Sequence, residues 1–114
     1  MAAYVPDRGD VIWINFDPQA GHEQGGRRPA VVLSPRGYNK PSGLALCCPV
    51  TNRAKGYPFE VPLPPAAPAT GVVLVDQVRN LDWHARKAEF IGELDQETLI
   101  EALEKLRPLV ADEE

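Results

Sequence analysis

The chain lacks the features of several large classes of protein. Its 114 residues include only two cysteines, Cys47 and Cys48, and these are adjacent. Neighbouring Cα atoms lie about 3.8 Å apart, which is shorter than the usual span of a disulfide. We therefore expect no disulfide framework and a reducing compartment, the cytoplasm. No apolar run approaches the length of about 18 residues typical of a membrane span, and residues 1–7 lack the basic and apolar regions of a secretion signal.

Residues typical of metal sites and of phosphate-binding loops are also scarce. Apart from the cysteines, the chain has two histidines, His22 and His84, and no spacing typical of a metal site. The glycine pair at 25–26 is followed by two arginines and a proline, whereas a phosphate-binding loop continues with lysine and a hydroxyl residue. We therefore expect no metal and no other cofactor.

Short segments typical of β-strands occupy most of the chain. The length fits one domain, to which we assign residues 1–114. Runs of β-branched and aromatic residues, bounded by proline and glycine, predict six strands. They cover residues 10–16, 29–34, 44–50, 59–63, 71–75 and 88–92. Pro62 and Pro64 remove N–H groups on one side of the fourth segment, so this strand is predicted to lie at a sheet edge.

The C-terminal part of the chain changes to a helical period. Asp95 is a good N-cap, and Leu99, Leu103 and Leu106 mark one apolar face of a helix. Pro108 is expected to close that helix or to bend its last turn. Six short strands and one terminal helix predict a mostly β fold, a small and strongly bent sheet or open barrel with the helix covering one side.

Charge is unevenly distributed along the chain. The net charge is −4, yet residues 1–87 carry ten basic and seven acidic residues, whereas residues 88–114 carry two basic and nine acidic residues. Residues 24–55 contain six bases and no acid. A basic patch of this kind can follow a phosphate backbone whatever the net charge is, and an ordinary solvated surface is the alternative that charge alone leaves open.

Two segments carry residues suited to phosphate chemistry. Glu23 precedes two glycines and two arginines, and Thr51 follows the third predicted strand. If the second and third strands pair, Arg28 and Thr51 lie close together. Arginine and hydroxyl donors stabilise a phosphorane, and glutamate accepts a proton, so these residues fit metal-free RNA cleavage by the ribose 2′-OH. The alternative is a surface arginine and a threonine that simply favours a strand.

Many sequence elements, in order, resemble the MazF/PemK toxins of bacterial toxin–antitoxin systems. They run from about Tyr4 to Arg107 and include Gly9-Asp10, Trp13, Glu23-Gln24, Arg28-Pro29-Ala30, Tyr38-Asn39, Pro49 with Thr51, Lys55-Gly56-Tyr57-Pro58-Phe59-Glu60-Val61, Asp76-Gln77-Val78 and Trp83. The resemblance implies an SH3-like barrel, a homodimer, and sequence-specific, ribosome-independent cleavage of single-stranded RNA that leaves a 2′,3′-cyclic phosphate and a 5′-OH. It also implies a MazE-type antitoxin as partner.

The resemblance also implies roles for individual residues. The catalytic arginine and threonine of the family fall on Arg28 and Thr51, and a glutamate implicated in some members falls on Glu23. Because the pKa of arginine lies above about 12, we expect Arg28 to clamp phosphate and donate a proton rather than accept one. Eight further residues are predicted to bind RNA: Gln24, Arg27, Asn52, Arg53, Lys55, Asp76, Gln77 and Arg79. Asp76 and Gln77 match positions that contact or process RNA in some relatives, and a turn at the end of a strand is the alternative for both.

Two alternative functions remain open at this stage. The gyrase inhibitor CcdB shares this fold, but its activity depends on an apolar, tryptophan-containing C-terminus, whereas this chain ends in Ala-Asp-Glu-Glu. A non-catalytic RNA-binding barrel is the second alternative, and substitution of Arg28 separates it from an enzyme. We expect Trp13 to lie in the core rather than to stack on bases.

Overall fold

Antiparallel strands form the largest share of the regular secondary structure in the computed structural model, which describes residues 3–112. The strands are β1 (Asp10–Asn15), β2 (Arg27–Val32), β3 (Leu44–Thr51), β4 (Glu60–Pro62), β5 (Val72–Leu74), β6 (Arg79–Asp82) and β7 (Glu89–Glu93). The helices are α1 (Arg36–Ser42), the 3₁₀ helix η1 (Val75–Gln77) and α2 (Gln96–Val110). The predicted mostly β fold with a C-terminal helix is confirmed.

The sheet bends at β3, its longest strand. Neighbouring strands follow the order β4–β5–β3–β2–β1–β7. One side of β3 pairs with β2, and the other side pairs with β6 along residues 44–47 and with β5 at Val50 and Thr51. This change of partner turns the sheet back on itself. Strand β4 lies at one end of the order, so the edge position predicted from the prolines is confirmed.

Two buried clusters lie on the two faces of this bent sheet. Alternate residues of a strand face opposite sides, so Val11 and Val31 belong to the cluster that α2 covers, while Ile12 and Ala30 belong to the other cluster. The two cysteines follow the same alternation, and both are free and buried. Burial raises the pKa of the Cys47 thiol to about 12, which keeps this thiol neutral. The absence of a disulfide between them agrees with the sequence.

The N-terminus of α2 is closed by the predicted cap. The Asp95 carboxylate accepts hydrogen bonds from the Thr98 N–H at 3.0 Å and the Thr98 hydroxyl at 2.9 Å. These bonds favour the charged carboxylate and lower the pKa of Asp95. The helix runs past Pro108 to Val110, because a proline in the last turn removes only one backbone hydrogen bond. Among the described residues no helix combines the length and apolar character needed to cross a bilayer.

Some elements differ from the sequence expectation. All six predicted strands are found, although β2 begins two residues early, at Arg27. Helix α1, η1 and β6 were not predicted. Helix α1 contains glycine and proline, which disfavour helix, and it is held by the buried side chain of Asn39. The Asn39 amide donates to the carbonyls of Pro6 at 2.8 Å and Ser34 at 2.9 Å, so tertiary contacts override the local preference.

The core position expected for Trp13 is wrong. Its side chain is 41% exposed. Trp13 lies on the same face of β1 as Val11, which packs in the cluster with Leu99 of α2. The α2-covered cluster includes Val11 but not the exposed Trp13.

Candidate active site

Pairing of β2 with β3 places the two principal site residues side by side. Ala30 lies opposite Pro49 in this antiparallel pair. The same register, continued by two residues, sets Arg28 opposite Thr51. The proximity predicted on the condition that these strands pair is therefore confirmed. Arg28 and Thr51 also line the same cavity, which opens between the β1–β2 loop and the segment that follows β3.

The cavity has two compartments, which together we call the cleft. The larger has a volume of about 640 Å³ and the smaller about 240 Å³. Five residues line both: His22, Gln24, Thr51, Arg53 and Lys55. The larger compartment adds Glu23, Arg28 and Asn52, among others, and the smaller adds Tyr57, Glu60, Asp76 and Gln77. Most of the predicted site residues thus meet in one place.

Arg28 is fixed by two carbonyl oxygens. Its Nε donates to the Gly25 carbonyl at 2.8 Å and its Nη1 to the Val50 carbonyl at 3.3 Å. A guanidinium carries five N–H donors, and the others have no acceptor among the described residues. The side chain is half-buried, so its orientation is set while those remaining donors face the cleft. This arrangement suits the binding of a phosphate group.

Thr51 presents a hydroxyl proton to the same space. The residue is 7% exposed, and its Oγ1 accepts a hydrogen bond from the Arg53 N–H at 3.1 Å. This bond turns the chain at the end of β3 and uses a lone pair of the oxygen. The hydroxyl proton has no acceptor among residues 3–112. Thr51 can therefore donate a hydrogen bond to a ligand oxygen.

Gly71 supports the backbone beneath Thr51. Its φ of 111° lies in a region that side chains other than glycine rarely adopt. A Cβ atom at this position would lie 2.2 Å from the Thr51 carbonyl oxygen. Only glycine lets the two strands approach this closely, so Gly71 is part of what sets the position of Thr51.

Glu23 is turned onto its own loop. Its Oε1 accepts a hydrogen bond from the Ala20 N–H at 3.2 Å, and its backbone N–H donates to the Ala20 carbonyl at 3.0 Å. The second carboxylate oxygen has no hydrogen-bond donor in the described part of the chain. Glu23 therefore organises the loop and keeps one oxygen free to accept a proton.

Glu60 shapes the opposite wall of the cleft. Its carboxylate is 8% exposed and accepts hydrogen bonds from the N–H groups of Lys55 at 2.9 Å and Gly56 at 2.9 Å. Its backbone carbonyl accepts a hydrogen bond from Lys105 of α2 at 2.8 Å. Glu60 thus fixes the segment that carries Arg53 and Lys55. Sequence reasoning missed this role, because Glu60 falls on the polar phase of an alternating strand and carries no signal of burial.

Two predicted RNA-binding residues lie away from the cleft. Arg27 alternates with Arg28 along β2 and forms an ion pair with Glu89 of β7 at 2.6 Å. Arg79 donates to the Phe16 carbonyl at 2.8 Å, at the start of the β1–β2 loop. Neither residue lines the cleft, so neither is placed to contact a ligand that binds there.

No cluster of three or more histidine, cysteine, aspartate or glutamate side chains suited to a metal ion occurs among residues 3–112. The side chains of the cleft offer a guanidinium, a hydroxyl and a carboxylate, with Arg53 and Lys55 exposed at the rim. These groups bind an anion, stabilise added negative charge and move a proton.

The bent sheet, its covering helix and the cleft at the end of β3 define a small barrel of the SH3-like class. Residues 7–110 match the model of the PemK-like, MazF-like toxins of type II toxin–antitoxin systems. The chain belongs to this family.

Individual relatives agree with this assignment. The chain is 52% identical over 99 residues to the endoribonuclease toxin MazF of Escherichia coli K12, a match that covers 87% of this chain and 88% of the relative. The crystal structure of MazF from Deinococcus radiodurans superposes with a TM-score of 0.91 at 57% identity, covering 95% of this chain and 98% of that one. A MazE–MazF complex from the same organism gives a TM-score of 0.85 at 57% identity, covering 95% and 97%.

Proposed function

We propose that this chain is the toxin of a type II toxin–antitoxin pair and cleaves single-stranded RNA, chiefly mRNA, at a short sequence without a ribosome or a metal. The chain is an endoribonuclease by its family membership and its likeness to MazF of E. coli. The observation that carries the proposed mechanism is the pairing of Arg28 with Thr51. Both present to one cleft hydrogen-bond donors that have no acceptor among residues 3–112.

Arg28 and Thr51 stabilise the phosphorane in this mechanism. The scissile phosphate takes the place that water holds at the free N–H groups of Arg28, and the Thr51 hydroxyl donates to a non-bridging oxygen. Both donors are held in place before the substrate arrives, so little reorganisation is needed as charge develops. The Val50 and Gly25 carbonyls that fix Arg28 supply this preorganisation.

Proton transfer uses the carboxylate of Glu23 and the guanidinium of Arg28. The free oxygen of Glu23 accepts the proton of the 2′-OH as the 2′-oxygen bonds to phosphorus. The bond from phosphorus to the 5′-oxygen breaks, and Arg28 donates a proton to this oxygen, because an alkoxide is a stronger base than a neutral guanidine. The products are a 2′,3′-cyclic phosphate and a 5′-OH. Exchange with solvent then removes the proton from Glu23 and returns one to Arg28.

The biological setting follows from the relatives. MazF of D. radiodurans forms a complex with MazE, which supports a MazE-type antitoxin as the partner of this chain. We propose that the toxin acts in the cytoplasm as a homodimer of one-domain subunits spanning residues 1–114, and that the antitoxin blocks the cleft.

A pair of neighbouring arginines provides the test. Purified protein is incubated with single-stranded RNA in EDTA, and the 5′ ends of the products are mapped. We expect cleavage, a loss of about 10³-fold in kcat for Arg28→Ala, and a change within about twofold for Arg27→Ala, since an exposed ion pair contributes little. No cleavage by the wild type would overturn the function, and full activity of Arg28→Ala would overturn the site. RNA binding without cleavage by the wild type would identify the non-catalytic alternative.

A further inference from the structure

The loop between β1 and β2 carries two cleft residues, Glu23 and Gln24, on a segment with few attachments. Its base is closed by a hydrogen bond from the Gly26 N–H to the Asp17 carboxylate at 2.7 Å. Residues 17–23 are exposed. The hydrogen bonds within the loop join Ala20 to Glu23 and Gln19 to Gly21, so they shape the loop without fixing it to the barrel.

Gln77 connects this loop to the rest of the molecule. Its Oε1 accepts a hydrogen bond from the Gln24 N–H at 2.8 Å, and its Nε2 donates to the His22 carbonyl at 3.4 Å. In the described part of the chain, these are the only hydrogen bonds that join residues 18–24 to residues outside the loop. The side-chain amide thus pairs with the loop backbone as a peptide group of a neighbouring strand would.

The backbone segment that carries Gln77 is held in place by burial and hydrogen bonds. Gln77 ends η1, whose first residue, Val75, is fully buried in the cluster under α2. The Val75 N–H donates to the Phe59 carbonyl at 3.1 Å, and its own carbonyl accepts from the Val78 N–H at 3.3 Å. Because its backbone is fixed and its side chain is half-buried, Gln77 loses little conformational entropy when it binds the loop.

We propose that Gln77 is a positioning residue whose amide holds the β1–β2 loop, and with it Glu23 and Gln24, over Arg28 and Thr51. This inference rests on the proposed function. It differs from the sequence expectation that Gln77 contacts RNA, because both functional groups of the amide are engaged by the loop backbone. Without the two hydrogen bonds of Gln77, the loop leaves the cleft, and the proton acceptor Glu23 is no longer held beside the 2′-OH.

The test measures the loop directly as well as activity. Gln77→Met keeps the length of the side chain and removes both hydrogen bonds, and Gln77→Glu keeps the acceptor for the Gln24 N–H while losing the donor to His22. Gln96→Met, on α2 and remote from the cleft, is the matched control. Amide hydrogen exchange is followed by NMR, and cleavage of a short single-stranded RNA gives kcat and KM.

We expect exchange of the Gln24 amide to rise about tenfold in Gln77→Met, as for the loss of one hydrogen bond, and to rise less in Gln77→Glu. The Gly26 amide, which Asp17 holds, keeps the wild-type rate. In Gln77→Met kcat falls about tenfold or more with KM little changed, whereas Gln96→Met stays near the wild type in both measurements.

Unchanged Gln24 exchange in Gln77→Met overturns the proposal. So does a rise in KM at constant kcat, which is the result expected for a direct RNA contact. If the wild-type protein does not cut RNA, the proposed function fails, and the exchange rates still decide whether Gln77 holds the loop.

Discussion

The cleft and the end of the barrel covered by α2 differ in how their polar groups are used. At the helix, the carboxylate of Asp95 is engaged by Thr98, and Lys105 donates to the Glu60 carbonyl. At the cleft, Arg28, Thr51 and Glu23 each keep a donor or acceptor without a partner among the described residues. Groups in the first region stabilise the fold, whereas those in the second are left available to a ligand.

This difference is not a defect of packing. In the described part of the chain, no buried side-chain nitrogen or oxygen atom lacks a hydrogen-bond partner. The Arg28 nitrogen that has no partner is therefore not fully buried, and the oxygen of the buried Thr51 is already engaged by the Arg53 N–H. Free donors beside fully satisfied buried atoms are what a binding site requires, because hydrated donors lose little until the ligand arrives.

Charge separates the same two regions. The outer face of α2 carries Glu97, Glu101 and Glu104, all exposed. The large compartment of the cleft is lined by Arg28, Arg53 and Lys55 with Glu23 as its only carboxylate among the described residues. A polyanion is thus repelled by the outer face of the helix and attracted to the large compartment, so the negative total charge does not argue against an RNA substrate.

After Arg28→Ala, the largest expected effect comes from a comparison of two threonines, one in each region. Thr51→Val removes the cleft hydroxyl and keeps the shape of the side chain, and we expect kcat to fall about 10²-fold because one donor to the phosphorane is lost. Thr98→Val removes a hydroxyl from the helix cap and should lower thermal stability while leaving kcat unchanged. RNA cleavage and thermal unfolding of both variants test this, and loss of activity in Thr98→Val would break the separation of the two regions.

A smaller effect is expected from Gly71→Ala, which probes the support of the cleft. The added Cβ would overlap the Thr51 carbonyl and occupy an unfavourable φ, so we expect a loss of about 1–3 kcal/mol in stability and lower kcat. Gly43→Ala is the control, since its φ is also positive, at 74°, but no atom lies within 4 Å of the added carbon. Urea unfolding and cleavage rates distinguish them. Equal losses in the two variants would show that backbone strain alone matters.

The smallest effect is expected at the helix cap. Asp95→Ala should lower the melting temperature by a few degrees with RNA cleavage unchanged, and Asp95→Asn should lower it less, because asparagine also caps. Since the folded pKa of Asp95 is lowered, its contribution is complete above the unfolded pKa of about 3.9 and is lost as the pH falls through the folded value. The melting temperatures of the wild type and of Asp95→Ala should therefore differ at neutral pH and converge at acid pH. A difference that persists at low pH contradicts this assignment.

The sequence predicted those elements whose signals are local. Runs of β-branched and aromatic residues located the six strands, and Asp95 marked the start of α2, because these patterns depend on neighbouring residues. Helix α1 has a glycine and a proline, and its stability comes from Asn39 contacts with distant carbonyls, which no local pattern reveals.

The candidate site was predicted to a similar extent. The pairing of Arg28 with Thr51 followed from one assumption about strand neighbours, together with the family resemblance. The orientation of Arg27 toward Glu89 and the loop contact of Gln77 depend on which face of a strand or helix meets the cleft. The burial of Glu60 depends on backbone N–H groups, which every residue type except proline carries, so the sequence contains no trace of it.

The position of Glu60 links the two regions that the rest of the molecule separates. Its carboxylate holds the cleft segment at Lys55 and Gly56, and its carbonyl receives Lys105 of α2. Order in that segment and docking of the helix are therefore thermodynamically coupled, and such coupling is reciprocal. A ligand that rigidifies the cleft wall should make local unfolding of the helix less favourable, and local unfolding of the helix should weaken binding in the cleft by the same factor.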